Sequence, residues 1–166
     1  WGSMFDDNEA PLAAATIPAI PVYDTALTGR LLADLQTGTG TKTDIWWTKI
    51  YLPNTYVAAG NLTLKIDGDY VLAGDAVMVA ATIDLEAYPY DSTNGDFSNA
   101  DICATAVQTM TTSFATYSFT ITGTTLVVST PVVLRFTSVI QITSAGAAGT
   151  GRNGFNFARV EYTGKE

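Results

Sequence analysis

From Thr43 to Tyr162 the chain changes character every few residues, and inside each stretch apolar and polar side chains tend to alternate. Leu62, Leu64 and Ile66 stand against Thr63, Lys65 and Asp67. A period of two places one set on a buried face and the other on a wet face of a β-strand. Thr43–Leu52 carries Ile45, Trp46, Trp47, Ile50 and Tyr51 and is closed by Pro53-Asn54. Asp67-Gly68 has the composition of a hairpin turn, followed by a short strand at Tyr70–Leu72 and a second turn at Gly74-Asp75. Ala76–Tyr88 reads as a long strand with Val77, Val79, Ala81, Ile83 and Leu85 on one face. Its other face carries Met78, Thr82, Asp84 and Glu86. Further strands are expected at Ile102–Thr112, Ala115–Thr122, Leu126–Ser129, Pro131–Ile142 and Phe155–Tyr162. Residues 89–101 and the Gly-rich 144–154 read as loops.

Turn signals recur at roughly 8–12-residue intervals, and the connections are too short for helical crossovers. This predicts an all-β fold: a two-sheet antiparallel β-sandwich, jelly-roll-like, of about eight or nine strands. No repeat of fixed period runs through the chain. The beginning is different. Trp1-Gly2-Ser3 before Met4 reads as a cloning scar, and residues 4–24 as an extended N-terminal arm. Pro18 and Pro21 lack ladder donors and exclude a central strand, so Ile17, Pro18, Ile20 and Pro21 form a strap suited to a neighbouring subunit or a plain tail. Residues 25–166 form the single sandwich domain. Within it, Leu27, Leu31, Leu32 and Leu35 leave a short helix and a strand equally open, because Gly29 weakens the helix.

Composition narrows the function. The chain has 166 residues, 47% hydrophobic, yet only 14% charged, well below the roughly 25% usual for globular domains. Thr, Ser, Asn and Gly supply the polarity, a surface suited to close packing against neighbours. The formal net charge of −8 opposes a phosphate backbone and an anionic membrane, so neither nucleic acid nor membrane is an expected partner. Histidine is absent, which removes Ser-His-Asp and Cys-His catalysis and every His-based metal site. Cys103 is alone, so no intrachain disulfide holds the fold. No apolar run approaches the ~18 residues of a membrane helix. No basic segment followed by an apolar one opens the chain, which points to cytoplasmic synthesis.

Several local patterns invite chemistry. Gly149-Thr150-Gly151-Arg152-Asn153-Gly154 matches a dinucleotide fingerprint, but strand-like residues follow it where a helix is needed. Gly38-Thr39-Gly40-Thr41-Lys42 lacks phosphate-loop spacing. Asp91, Asn94, Asp96, Asn99 and Asp101 gather hard oxygens in one loop and make a structural Ca²⁺ the one cofactor to consider, without EF-hand spacing. Asn and Asp also serve loops for local hydrogen bonding alone. Asp84 and Glu86 share a strand face, where a wet surface explains them without acid–base catalysis. Asn61-Leu62-Thr63 fits a glycosylation sequon that has no use without export. Trp46 and Trp47 must point to opposite faces: one belongs to the core, and the other can stack on a sugar ring or pack against another subunit. Tyr88 and Tyr90 around Pro89 pose the same choice. No catalytic constellation emerges.

Ile45-Trp46-Trp47-Thr48-Lys49-Ile50-Tyr51-Leu52-Pro53, then Asn61-Leu62-Thr63-Leu64-Lys65-Ile66, and the closing Phe157-Ala158-Arg159-Val160-Glu161-Tyr162 resemble the β-sandwich structural proteins of tailed-phage virions. The likeness covers most of residues 43–162. It implies a non-enzymatic capsid decoration, head-fibre or tail component on the virion surface, made in the host cytoplasm. It also implies a homo-oligomer, a trimer above other states, that packs against other virion proteins. The alternative from the residues is a carbohydrate-binding sandwich or a glycan-binding fibre tip.

Overall fold

In a computed structural model, residues 22–24, 30–146 and 148–162 are described. Ile17, Pro18, Ile20 and Pro21 lie outside them. The strands are β1 (Val22–Asp24), β2 (Arg30–Leu32), β3 (Gln36–Thr37), β4 (Gly40–Tyr51), β5 (Leu62–Ala73), β6 (Ala76–Asp91), β7 (Asp96–Phe97), β8 (Gln108–Thr109), β9 (Ala115–Ile121), β10 (Pro131–Ser144) and β11 (Thr150–Tyr162). One sheet runs β1-β2-β11-β5-β9, with β3 also on β11. The other runs β4-β10-β6-β7, with β8 also on β6. All pairings are antiparallel. Each connection between successive long strands, from β4 to β5, β6, β9, β10 and β11, passes from one sheet to the other. The two layers are therefore laced together along the whole chain. The described part of residues 26–35 resolves to strand at β2.

Alternation builds the core. Leu62, Leu64 and Ile66 of β5, Tyr117, Phe119 and Ile121 of β9, Ile83, Leu85 and Ala87 of β6, and Val132 and Leu134 of β10 face one another and are buried. Trp46 packs on this core and meets Phe155 edge-on at 5.7 Å. Partly buried, it is the core-facing member of the Trp46-Trp47 pair.

Four strand expectations need correction. Asp67-Gly68 does not turn; β5 runs straight through it. A Cβ at Gly68 would lie 2.5 Å from the Gly154 carbonyl oxygen, so glycine serves close approach of two strands. Second, Val77 and Val79 do not share the buried face of Ala81, Ile83 and Leu85. They are 62% and 53% exposed, while Met78 packs on the core. The cause is a register shift opposite Gln141 and Ile142, where the pairing steps from Ala80 to Met78 and leaves Val79 unpaired. Third, Leu126–Ser129 is not a strand. A short 3₁₀ turn, Gly123–Thr125, precedes it, and Leu126 N–H bonds back to the Gly123 carbonyl.

Fourth, Ile102–Thr112 is strand only at Gln108–Thr109, because this segment serves both sheets in turn. Ile102 N–H bonds to the Ala87 carbonyl on one sheet, Ala104 N–H to the Thr120 carbonyl on the other, and Met110 N–H to the Ala81 carbonyl of the first. It thereby closes the side of the sandwich where the β6 and β9 edges lie.

Candidate binding face

The two outer faces differ. On the β11-β5 sheet, Arg159 pairs with Asp67 at 3.1 Å and with Glu161 at 3.3 Å, and Lys65 pairs with Glu161 at 2.7 Å. Lys65 holds the Glu161 carboxyl below its usual range, with Arg159 adding to the effect. That face is a solvated charge network.

The outer face of the other sheet is built from cross-strand rows that register fixes. Trp47 of β4, Arg135 of β10 and Glu86 of β6 form one row; Lys49, Val133 and Tyr88 form the next. The Arg135 guanidinium lies 5.6 Å from the Trp47 ring centroid and is paired with Glu86. It is thus held by a cation–π contact on one side and an ion pair on the other. Tyr88 donates to Glu86 Oε1 at 3.0 Å. Burial, then this carboxylate, push the Tyr88 phenol up from its usual pKa.

Strands two apart are separated by nearly 10 Å, yet the Trp47 and Tyr88 rings lean together over β10, 6.1 Å apart and 30° from parallel. Val133, on the strand between them, is buried, with 9% of its surface exposed.

The β6–β7 hairpin supplies the second wall. Its turn carries Gly95 at φ 71°, and Asp91 and Asp96 face each other across it. Ser98 N–H bonds to the Pro89 carbonyl at 2.8 Å and holds the following residues along the β6 edge. Phe97 meets Tyr90 edge-on at 5.7 Å, and Lys49 Nζ lies 5.0 Å from its ring centroid. Between hairpin and sheet is a cleft of about 340 Å³ lined by Trp47, Tyr88, Asp96, Phe97, Ser98, Asn99 and Val133.

The structure thus brings Trp47 and Tyr88 together as one surface. Tyr90 braces Phe97 and does not line the cleft. Arg135, Phe97, Ser98 and Val133 escaped the sequence reading as binding residues. Only the pairing register shows that Arg135 stands between Trp47 and Glu86.

The acidic loop is not gathered into one ion site. Asp91 accepts from Thr93 N–H at 2.9 Å and from the Asn94 amide at 2.6 Å, bonds that lower its pKa. Asp96 accepts from Phe97 N–H, and Asp101 accepts from the Ala87 and Cys103 N–H groups at 2.8 Å each. Among the described residues no three His, Cys, Asp or Glu side chains are placed to hold a metal ion. These oxygens shape the loop as asparagine and aspartate do in turns.

Asp84 accepts from Leu85 N–H while Glu86 is engaged by Arg135 and Tyr88, so the two carboxylates have separate partners. The fingerprint at Gly149–Gly154 opens β11, a strand. Its loop is fastened by Asp75, which accepts from Ser144 Oγ at 2.6 Å and from Gly146 N–H at 2.7 Å. No family model, curated protein or solved structure matches the chain.

Proposed function

We propose that this chain is a non-enzymatic structural β-sandwich that works by packing against copies of itself and other proteins, as a decoration or fibre component on the outside of a bacteriophage particle. The observation that carries the assembly reading is the β4 edge. β4 spans twelve residues and stands at the end of its sheet, hydrogen-bonded along β10 on one side. No strand of the described residues lies in that sheet beyond it. A long strand with unpaired donors and acceptors is a template for another chain, and soluble monomers blunt such edges. The opposite side of the sandwich is blunted in this way by residues 101–111. The two lysines of β4 are drawn onto the chain's own surface: Lys42 pairs with Asp34 at 2.7 Å, and Lys49 sits over Phe97.

Exposed Tyr51, 69% accessible at the end of β4, extends the apolar contact such an edge offers a neighbour. The phage assignment itself rests on the likeness of residues 43–162 to virion sandwiches, and the low charge and Thr-rich surface agree with it.

Native mass measurement of the full chain tests the assembly. A stable homotrimer is the expected result. A monomer at micromolar concentration would remove the packing reading. Antibody against this chain should decorate the outside of intact particles in negative stain.

A further inference from the structure

We propose that the cleft between the Trp47–Tyr88 surface and the β6–β7 hairpin binds one neutral hexose ring of a glycan. The proposal does not depend on the assembly reading: Trp47 belongs to β4, but the cleft uses side chains on the outer face of the sheet, whereas assembly uses the free backbone edge of that strand.

Size comes first. The cleft, at about 340 Å³, is at the lower end of the roughly 300–1,000 Å³ typical of small-ligand sites. It suits one sugar ring and excludes a folded peptide element. Its walls are of two kinds. Trp47, Tyr88 and Phe97 supply aromatic surface, and Val133 lies among them. A pyranose has an apolar C–H face that packs on such rings while its hydroxyls point outward.

The polar lining supplies what those hydroxyls need. Asp96 has one carboxylate oxygen occupied by Phe97 N–H; among the described residues no donor engages the other. Ser98 Oγ accepts from Ala100 N–H at 3.1 Å, which leaves its O–H to donate. The Asn99 side chain is exposed, and no hydrogen bond of the described residues engages its amide. An acceptor, a donor and an amide that does both complement a pair of ring hydroxyls. A hydrocarbon ligand would leave all three unpaired.

Charge selects a neutral sugar. Two cations flank the cleft, and both are engaged: Arg135 is matched by Glu86, and Lys49 Nζ lies over the Phe97 ring, 5.0 Å from its centroid. An anionic sugar would meet the Asp96 carboxylate and the field of a chain with net charge −8. The site is also built in advance. The Trp47–Arg135–Glu86 row fixes one wall, and the β7 pairing with the Ser98-to-Pro89 bond fixes the other. Little ordering cost remains to be met on binding.

The test is titration of the full ¹⁵N-labelled chain with methyl glycosides of glucose, galactose and mannose and with their short oligomers. Concentrations of roughly 20 mM reach the millimolar affinities of weak specific sites. Binding of at least one neutral sugar is expected, with shifts centred on the Trp47 indole and the Phe97, Ser98 and Asn99 amides. Asn99→Ala and Asp96→Asn should each weaken it by about tenfold, the loss of one hydrogen bond to a hydroxyl, with an unchanged melting temperature. Sialyllactose should bind more weakly than lactose. No shift with any neutral sugar, shifts confined to another face, or affinity unaltered in both variants would each overturn the proposal. So would shifts at these amides on dilution without sugar, because a second copy of the chain would then own the cleft. Native mass of the same variants reads the assembly separately, so one idea can fail without the other.

Discussion

The side-chain amide of Asn153 on β11 crosses the interior and donates to Ser138 Oγ on β10 at 2.8 Å, joining the two sheets through the middle of the core. Both residues are buried, Asn153 completely. The same amide nitrogen also reaches the carbonyls of Val139 at 3.0 Å and Thr82 at 3.4 Å, while its own oxygen has no partner among the described residues. Two N–H groups thus serve three acceptors beside one unsatisfied acceptor. Asn153→Ala should cost about 1–3 kcal/mol in urea unfolding, since the carbonyls and Ser138 lose a donor inside the core. Asn153→Asp should cost more at neutral pH, because a buried carboxylate would face those carbonyls, and part of the loss should be recovered on acidification. An Asp variant as stable as the Ala variant at pH 7 would mean water reaches this position.

Arg135 lies between Trp47 and Glu86, and its exposure decides its weight. Its side chain is 29% accessible and that of Glu86 25%, so solvent screens the pair only in part. Arg135→Ala should destabilise by about 1–2 kcal/mol, combining the lost pair with the lost cation–π contact. A double-mutant cycle between Arg135→Ala and Glu86→Gln should show a coupling of roughly 0.5–1.5 kcal/mol that falls in molar salt. Zero coupling at low salt would show that the row is ornamental to stability. Loss of the Trp47–Tyr88 stacking signal in near-ultraviolet dichroism should accompany Arg135→Ala, since the guanidinium supports the indole.

Gly68 tests the strand that the sequence hid. A methyl group there would stand 2.5 Å from the Gly154 carbonyl oxygen and 3.1 Å from the Phe155 ring. β5 and β11 would have to part, so Gly68→Ala should lose about 2–3 kcal/mol. Gly95, with open space around it but φ at 71°, gives the contrast: alanine there meets only backbone strain, of about 1 kcal/mol. Equal costs at the two sites would contradict the close approach.

These glycines mark the boundary of what the chain's pattern reveals. Strand identity was legible where one face is buried throughout: Leu62 to Ile66, Tyr117 to Ile121 and Val132 to Phe136 sit as alternation places them. It failed where pairing changes register. The irregularity at Gln141/Ile142 turns Val77 and Val79 outward, and the shift between Phe155 and Phe157 reverses the faces of β11 midway. Neither bulge has a sequence mark, because each arises from how two strands meet. Gly68 misled for a related reason: a glycine needed by a neighbouring backbone looks the same as one needed by a turn.

The binding face divides similarly. Adjacent tryptophans had to face opposite ways, so one outward indole was certain in any strand. Its partners were not, since Arg135 lies 88 positions from Trp47 in the sequence and only the β4–β10 register brings them side by side.

Asp44 provides the pH prediction. Its carboxylate is 5% exposed and accepts from Asp34 N–H at 3.0 Å. Burial, its largest influence, raises its pKa; the Asp34 N–H opposes this, the Asp34 carboxylate adds to it, and Lys42 opposes it. A carboxyl whose folded pKa lies above its unfolded value of about 3.9 binds its proton more readily when folded. Its contribution to stability is complete below the unfolded pKa and is lost as pH rises through the folded one. At neutral pH the native protein therefore carries the full cost of a buried charge. Asp44→Asn removes that charge and keeps an oxygen for Asp34 N–H. The variant should be more stable than the native chain at pH 7, and its advantage should shrink as pH falls through the carboxylate range. Asp75 behaves with the opposite sign: the Ser144 hydroxyl lowers its pKa, so Asp75→Asn should lose stability above the carboxylate range and lose less as pH falls. Urea midpoints of both variants from neutral to acid pH check the pair of slopes. An Asp44→Asn variant weaker than the native chain at pH 7 would show that attraction to Lys42 outweighs the burial of the charge.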